Sequence, residues 1–187
     1  WGLAQFGNVG DDIRAFRAFC GVVALAVLAA CGAEPDGPPA SANKFRSYYG
    51  PQVTQVVVNK GQRRLYLLHG TEVLKQYRID LGFDPVGHKT RQGDGKTPEG
   101  IYFIDRMNPG SQYYLSVGVS YPNPADRERA RLMGADPGGD IMVHGRGAYG
   151  NSVGKKDWTA GCIAVTDEEI EDIYAMLQPG VPVVIYA

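Results

Sequence analysis

The 187-residue chain is 44% hydrophobic and 21% charged, enough apolar material for one buried core and too much for a chain disordered throughout. Its net charge of −1 excludes the broad electrostatic attraction that nucleic-acid binding needs, and removing residues 1–30 changes nothing, because Arg14 and Arg17 cancel Asp11 and Asp12. The cysteines Cys20, Cys31 and Cys162 lie far apart and show no metal-ligand spacing, so no structural disulfide, metal or cofactor is expected.

Residues 1–30 read as upstream residues and a signal segment. Arg14 and Arg17 precede an apolar run from Phe19 to Ala30, twelve residues long and so too short for a span of about 20. Leu28-Ala29-Ala30-Cys31 resembles the bacterial lipobox, in which the cysteine becomes the lipid-bearing first residue of the mature protein. A plain secretory signal and a buried core helix are the alternatives. Gly32 after that cysteine, by resemblance to Gram-negative lipoproteins, favours an exported protein on the periplasmic face of the outer membrane. Residues 31–50, rich in proline and small side chains, then form a tether.

From Val53 the pattern changes to short β-branched and aromatic runs: Val53–Asn59, Arg64–Leu68 and Val73–Leu81, separated by turns at Lys60-Gly61 and His69-Gly70. Residues 82–100 hold five glycines and read as loop, with Lys89, Arg91 and Lys96 on a solvated face in preference to contacting a carboxylate-rich ligand. Further strands are expected at Gly100–Ile104, Tyr113–Val117, Asp140–His144 and Val181–Tyr186, and Pro182 marks a strand start or an edge. Asn123 followed by Pro124 opens a short helix to Leu132. Thr166 and Glu169 form a capping box for a second helix over 167–178, which buries Ile170, Ile173, Tyr174 and Leu177 and stops at Pro179-Gly180. Residues 51–187 are therefore expected to be one mainly β domain, a mixed-sheet sandwich or partly closed barrel with short helices.

Asp157-Trp158-Thr159-Ala160-Gly161-Cys162-Ile163-Ala164 carries the chemistry, together with Val143-His144-Gly145. A thiol attacks as thiolate and at its ordinary pKa of roughly 8.5 needs a base beside it, a role open to His144. Small residues before the sulfur let backbone N–H groups of Gly161 and Cys162 face a developing oxyanion, which suits acyl transfer through a thioester. Thr159 either hydrogen-bonds near the thiol or, the favoured reading, holds the loop; Trp158 is read as packing; Arg146, Lys155 and Lys156 are candidate cationic contacts for substrate carboxylates, with a solvated loop the favoured reading for either lysine alone.

The His144 to Cys162 spacing, the run into Gly161-Cys162, and Thr97-Pro98-Glu99-Gly100 resemble the L,D-transpeptidase catalytic domain, or YkuD-like domain, over Val53 to Tyr186. Ala160 stands where that family's signature has a second histidine, and Ala164 where it has Arg or Asn; the run through Val165-Thr166 resembles the YafK-like branch. The resemblance implies a Cys162 nucleophile, a His144 base whose second ring nitrogen bonds the Gly145 carbonyl, and peptidoglycan stem peptides as substrate. That branch includes a hydrolase cutting lipoprotein from peptidoglycan. Three functions therefore stand: an L,D-transpeptidase, a hydrolase of the same fold releasing a wall-linked lipoprotein or crosslinks, and a non-catalytic wall-binding lipoprotein. The membrane anchor has its own test: a clickable fatty acid should label the full chain and not Cys31→Ala, and label persisting in that variant removes the lipoprotein expectation.

Overall fold

The computed structural model describes residues 43–187. The signal expected at 1–30 and residues 31–42 of the expected tether, Cys31 included, lie outside the described residues. The remainder of that tether packs on the domain: Lys44 Nζ donates to Pro109 O at 2.6 Å, and Arg46 pairs with Glu171 and Asp172.

Eight strands form: β1 Gln55–Asn59, β2 Arg64–His69, β3 Glu72–Arg78, β4 Gly100–Asn108, β5 Ser116–Val119, β6 Met142–His144, β7 Ile163–Ala164 and β8 Pro182–Tyr186. Of these, β1, β2, β8 and the first half of β4 alternate inward and outward side chains, the period-2 signature of a sheet with one buried face, whereas β5 and β7 are buried throughout. Val56, Val58, Leu65, Leu67, Val183 and Ile185 point into the core, whereas Ile101 and Phe103 on β4 point out. Burying each large apolar side chain contributes about 1.5–3 kcal/mol.

The strands lie in the order β3-β2-β1-β8-β4-β5-β6-β7, with β1/β8 and β6/β7 parallel and the other pairs antiparallel. The partly closed barrel among the sequence-based expectations is found, and the sandwich of two separate sheets is not. The reason is β4: its first residues pair with β8 and its later ones with β5, with a register shift between Ile104 and Met107. One mixed sheet thus bends at that irregularity and curls until its far edges meet. Beyond β3, Asp80 exchanges both main-chain hydrogen bonds with Ala164 of β7, at 2.9 and 2.8 Å, and Leu81 and Phe83 bond Thr159. Pro182 opens β8, an interior strand, which settles its role as a start rather than an edge.

Both expected helices form. Asn123 and Thr166 each cap with a reciprocal box, for α1 Pro124–Leu132 and α3 Asp167–Met176. Arg146 to Lys156 contains a further helix, α2 Gly147–Ser152, between the two in chain order. Its N-terminal donors are taken from a distance: Asp167 Oδ1 accepts from the N–H groups of Arg146 and Gly147 at 2.7 and 2.9 Å. Tertiary capping therefore starts a helix that the local composition does not.

The 82–100 loop also departs from its solvated reading. Lys89 is buried and pairs with Asp94 at 2.9 Å, and the same carboxylate accepts from the N–H groups of Thr90, Arg91 and Lys96. Burial opposes ionisation of Asp94, but the Thr90 N–H, the Lys89 ammonium and the other N–H groups outweigh it and bring its pKa down to about 2. A depressed carboxylate pKa contributes stability above the ordinary carboxylate range that is lost as pH falls through that range toward about 2. Asp94→Ala should cost about 3–5 kcal/mol in denaturant unfolding at neutral pH, because it leaves the Lys89 charge buried without a partner. A loss within experimental error would show that the pair does not hold the loop.

Candidate active site

His144 ends β6, and Cys162 lies immediately before β7. Because β6 and β7 pair in parallel, with Val143 opposite Ile163 and His144 opposite Ala164, the register carries Cys162 level with Met142, two positions before His144 along the ladder. Both line one cleft of about 490 Å³, together with Arg106, Asn108, Tyr113, Ser116 and Asp140.

The imidazole is held from three directions. Its Nδ1 lies 2.6 Å from Gly145 O, and since a carbonyl only accepts, Nδ1 carries the proton and Nε2 keeps its lone pair. The Tyr113 ring packs at 4.6 Å between centroids, and the Trp158 ring meets the imidazole edge-on at 5.7 Å. Trp158 is thus a packing residue against His144. Gly145 permits this corner: a Cβ there would stand 2.5 Å from Asp167 Oδ1 and 2.9 Å from both Ile170 Cγ2 and Tyr113 O. Burial pushes the His144 pKa down, against the Gly145 hydrogen bond that favours the protonated ring.

The thiol is pushed the other way. Burial raises the Cys162 pKa, and the Met142 N–H facing the sulfur offsets only part of it. Sγ lies 3.4 Å from Asp140 O, which accepts from the thiol. A neutral thiol and a neutral imidazole in one cleft are what these opposed shifts favour at rest.

Thr159 is a loop holder. Its buried hydroxyl donates to Cys162 O at 2.7 Å and accepts from the Gly161 N–H at 3.2 Å, closing the turn that presents the sulfur. The Gly161 N–H expected to face an oxyanion is therefore already engaged. Gly161 itself is required by geometry, with φ of +136° and Lys96 O only 2.7 Å from where a Cβ would stand. The 82–100 loop thereby backs the cysteine turn directly.

The three expected substrate cations lie elsewhere. Arg146 pairs with Asp80 at 2.9 Å, and its guanidinium sits 5.4 Å from the Trp158 ring centroid. With Lys155 and Lys156 it lines a separate cavity of about 520 Å³, whose walls include Arg63, Arg78 and Asp157 but not Cys162. The reason is the seam: Asp80 draws the guanidinium to the side of β7 away from the sulfur's cleft. Asp157, held at φ +47°, is likewise structural, its carboxylate accepting from Arg63 and the Leu81 N–H.

Sequence reasoning missed the residues that do share the cleft, above all Arg106, Asp140 and Ser116. Arg106 follows the expected end of β4, and Asp140, read as a strand residue, instead takes a left-handed φ of +54°. Ser116 lies opposite His144 only through the β5/β6 register, which no local pattern carries.

Comparison with known proteins bears on this arrangement. Residues 54–185 match the family profile of the L,D-transpeptidase catalytic domain, YkuD. YafK of Escherichia coli (strain K12), itself only provisionally described as an L,D-transpeptidase, is 30% identical over 147 residues, covering 73% of this chain and 54% of that protein. Among solved structures, the helical cell shape determining protein Pgp2 from Campylobacter jejuni, as its K307A mutant, is similar with a TM-score of 0.57 and 29% identity, covering 76% of this chain and 50% of that one. Bd1075 of Bdellovibrio bacteriovorus is similar with a TM-score of 0.51 and 26% identity, covering 76% and 50% respectively. The chain thus spans about half the length of the relatives it matches. With its profile match running from β1 to β8, the chain belongs to the YkuD family of L,D-transpeptidase catalytic domains.

Proposed function

We propose that the chain is a cysteine-dependent peptidoglycan L,D-transpeptidase acting on stem peptides through a thioester acyl-enzyme. The observation that carries this reading is the pairing of Cys162 with a Gly145-anchored His144 in a single cleft. Family membership supports the reaction class, and the cell-shape role printed for the similar Campylobacter protein supports a wall substrate. The proposal includes export and a lipid anchor at Cys31 on the periplasmic face of the outer membrane, supported by the signal-like and lipobox-like run before the domain.

In the proposed reaction Cys162 Sγ bonds to the substrate carbonyl carbon while the thiol proton passes to His144 Nε2. The carbonyl π pair moves to oxygen. The oxyanion takes a hydrogen bond from the Cys162 N–H, the donor left once Thr159 has engaged the Gly161 N–H; one such donor is typically worth about 10²–10³ in rate. Collapse breaks the C–N bond, and the leaving amine takes the proton from His144. An acceptor amine then attacks the thioester, gives its proton to Nε2, and releases the thiol, which takes that proton back.

Purified protein incubated with muropeptides and an amine acceptor should form acceptor adducts by mass, and Cys162→Ala should form none. Hydrolysed products without adducts would replace the transpeptidase with the hydrolase; no product from the wild type would favour the non-catalytic wall-binding protein. The pH profile follows from the opposed shifts. His144 is the group whose protonation removes the base, and its pKa lies below the ordinary imidazole value. The acid limb of kcat/KM should therefore fall below about pH 6.5, and alkylation of Cys162 should speed up only above the ordinary thiol range near pH 8.5. An acid limb above that imidazole value would rule out His144 as the base in this environment.

A further inference from the structure

Three buried side-chain polar atoms lack a hydrogen-bond partner among the described residues, Tyr77 Oη, Ser116 Oγ and Trp158 Nε1, and of these only Ser116 Oγ belongs to a residue lining the Cys162 cleft. Ser116 is 1% exposed, and a hydroxyl cut off from water with no protein partner is unfavourable unless a ligand completes it. We propose that, resting on the cysteine–histidine reading above, Ser116 is a further catalytic residue. Its hydroxyl accepts the N–H of the scissile amide and so turns the nitrogen lone pair toward His144.

The sheet sets the two side chains beside each other. Ser116 lies directly opposite His144 in the antiparallel β5/β6 ladder, and directly opposite residues point to the same face. The main-chain bonds from Gly145 N to Leu115 O and from Val119 N to Ile141 O mark alternate positions of that ladder. Ser116 and His144 therefore fall on a non-hydrogen-bonded pair, the kind whose side chains stand closer. Nδ1 of the imidazole is already taken by Gly145 O, which leaves Nε2 as the atom that a shared substrate group meets. Asn108 continues the row on β4, opposite Ser116, but its Oδ1 already accepts the Gly110 N–H and it stands two strands from the base. The Ser116 hydroxyl, with two lone pairs to offer, is the acceptor that the ladder brings to His144.

The chemistry calls for such a group. A planar amide nitrogen has no lone pair free to take a proton; it gains one as the carbonyl carbon becomes tetrahedral, and that pair can emerge on either face. Its direction is decided by where the remaining N–H is held. With the N–H on Ser116 Oγ, the pair points at the protonated Nε2. The Sγ–C bond has formed, the C–N bond breaks with its electrons going to nitrogen, and the Nε2 proton joins that nitrogen. The amine leaves with the hydrogen that Ser116 held still on it, so Ser116 itself exchanges no proton. An entering amine or water retraces the path, giving one hydrogen to Nε2 while Ser116 holds another, and the role serves transfer and hydrolysis alike.

The test compares two acyl donors, a stem peptide with its scissile amide and the same peptide with an ester oxygen in place of the scissile N–H. Release of the leaving group is followed for the full chain as wild type and as Ser116→Ala. With the amide, Ser116→Ala should lower kcat/KM about tenfold, chiefly through kcat, as for one hydrogen bond made in the transition state. With the ester it should change nothing, because there is no N–H to hold. Ser116→Ala should also unfold at the wild-type temperature, since no described residue bonds the hydroxyl. Equal losses with amide and ester, no loss with the amide, or a clear fall in unfolding temperature would overturn the role. Wild-type turnover with any of those results defeats this role alone, whereas release from neither donor by the wild type defeats the cysteine–histidine reading and this role with it.

Discussion

A strand of two residues cannot hold itself in place, and β7 is that short. It is fixed from both sides, in parallel by β6 and through paired main-chain bonds by Asp80 on the segment past β3. These bonds are individually modest, about 0.5–1.5 kcal/mol net each, but they are made at the one place where the curled sheet closes. The position of the sulfur relative to the imidazole rests on that seam. Without it, the Cys162 turn would be a surface loop with no reason to face His144.

The seam also divides two environments that the sequence runs together. On one side lies the cleft with Cys162, His144, Arg106, Asp140 and Ser116. On the other lies the cavity lined by Arg63, Arg78, Arg146 and the two lysines. Asp80 takes part twice, its backbone in closing the sheet and its carboxylate in holding Arg146. The aromatic cluster of Tyr113, Tyr149 and Trp158 then fills the corner beneath the imidazole and fixes its plane.

Legibility followed the range of the interactions. Short runs of β-branched, aromatic and leucine residues announced β1 and β2, and both helix starts could be read because a capping box is complete within four residues. Cys162 and His144 stood out by chemistry and by family resemblance. Lys89 and Asp94 did not, because two charges in a glycine-rich loop look solvated until the fold buries them together. Helix α2 was hidden for the same reason: its cap, Asp167, lies some twenty residues on, in another helix. Arg146 and the lysines were expected at the substrate because nearness to Cys162 in sequence stood in for nearness in space. Ser116 and Arg106 belong to strands whose register alone delivers them to the cleft.

The position of β8 has a consequence for how the domain comes into being. The strand of highest chain position inserts at the middle of the sheet, hydrogen-bonded to β1 on one side and β4 on the other. Until Pro182–Tyr186 has been made by the ribosome, the hairpins of β1–β3 and the ladder from β4 onward have no shared strand, and each presents an open edge. Such non-local pairing is slow to form, so the two parts of the sheet lock together only once β8 has been made.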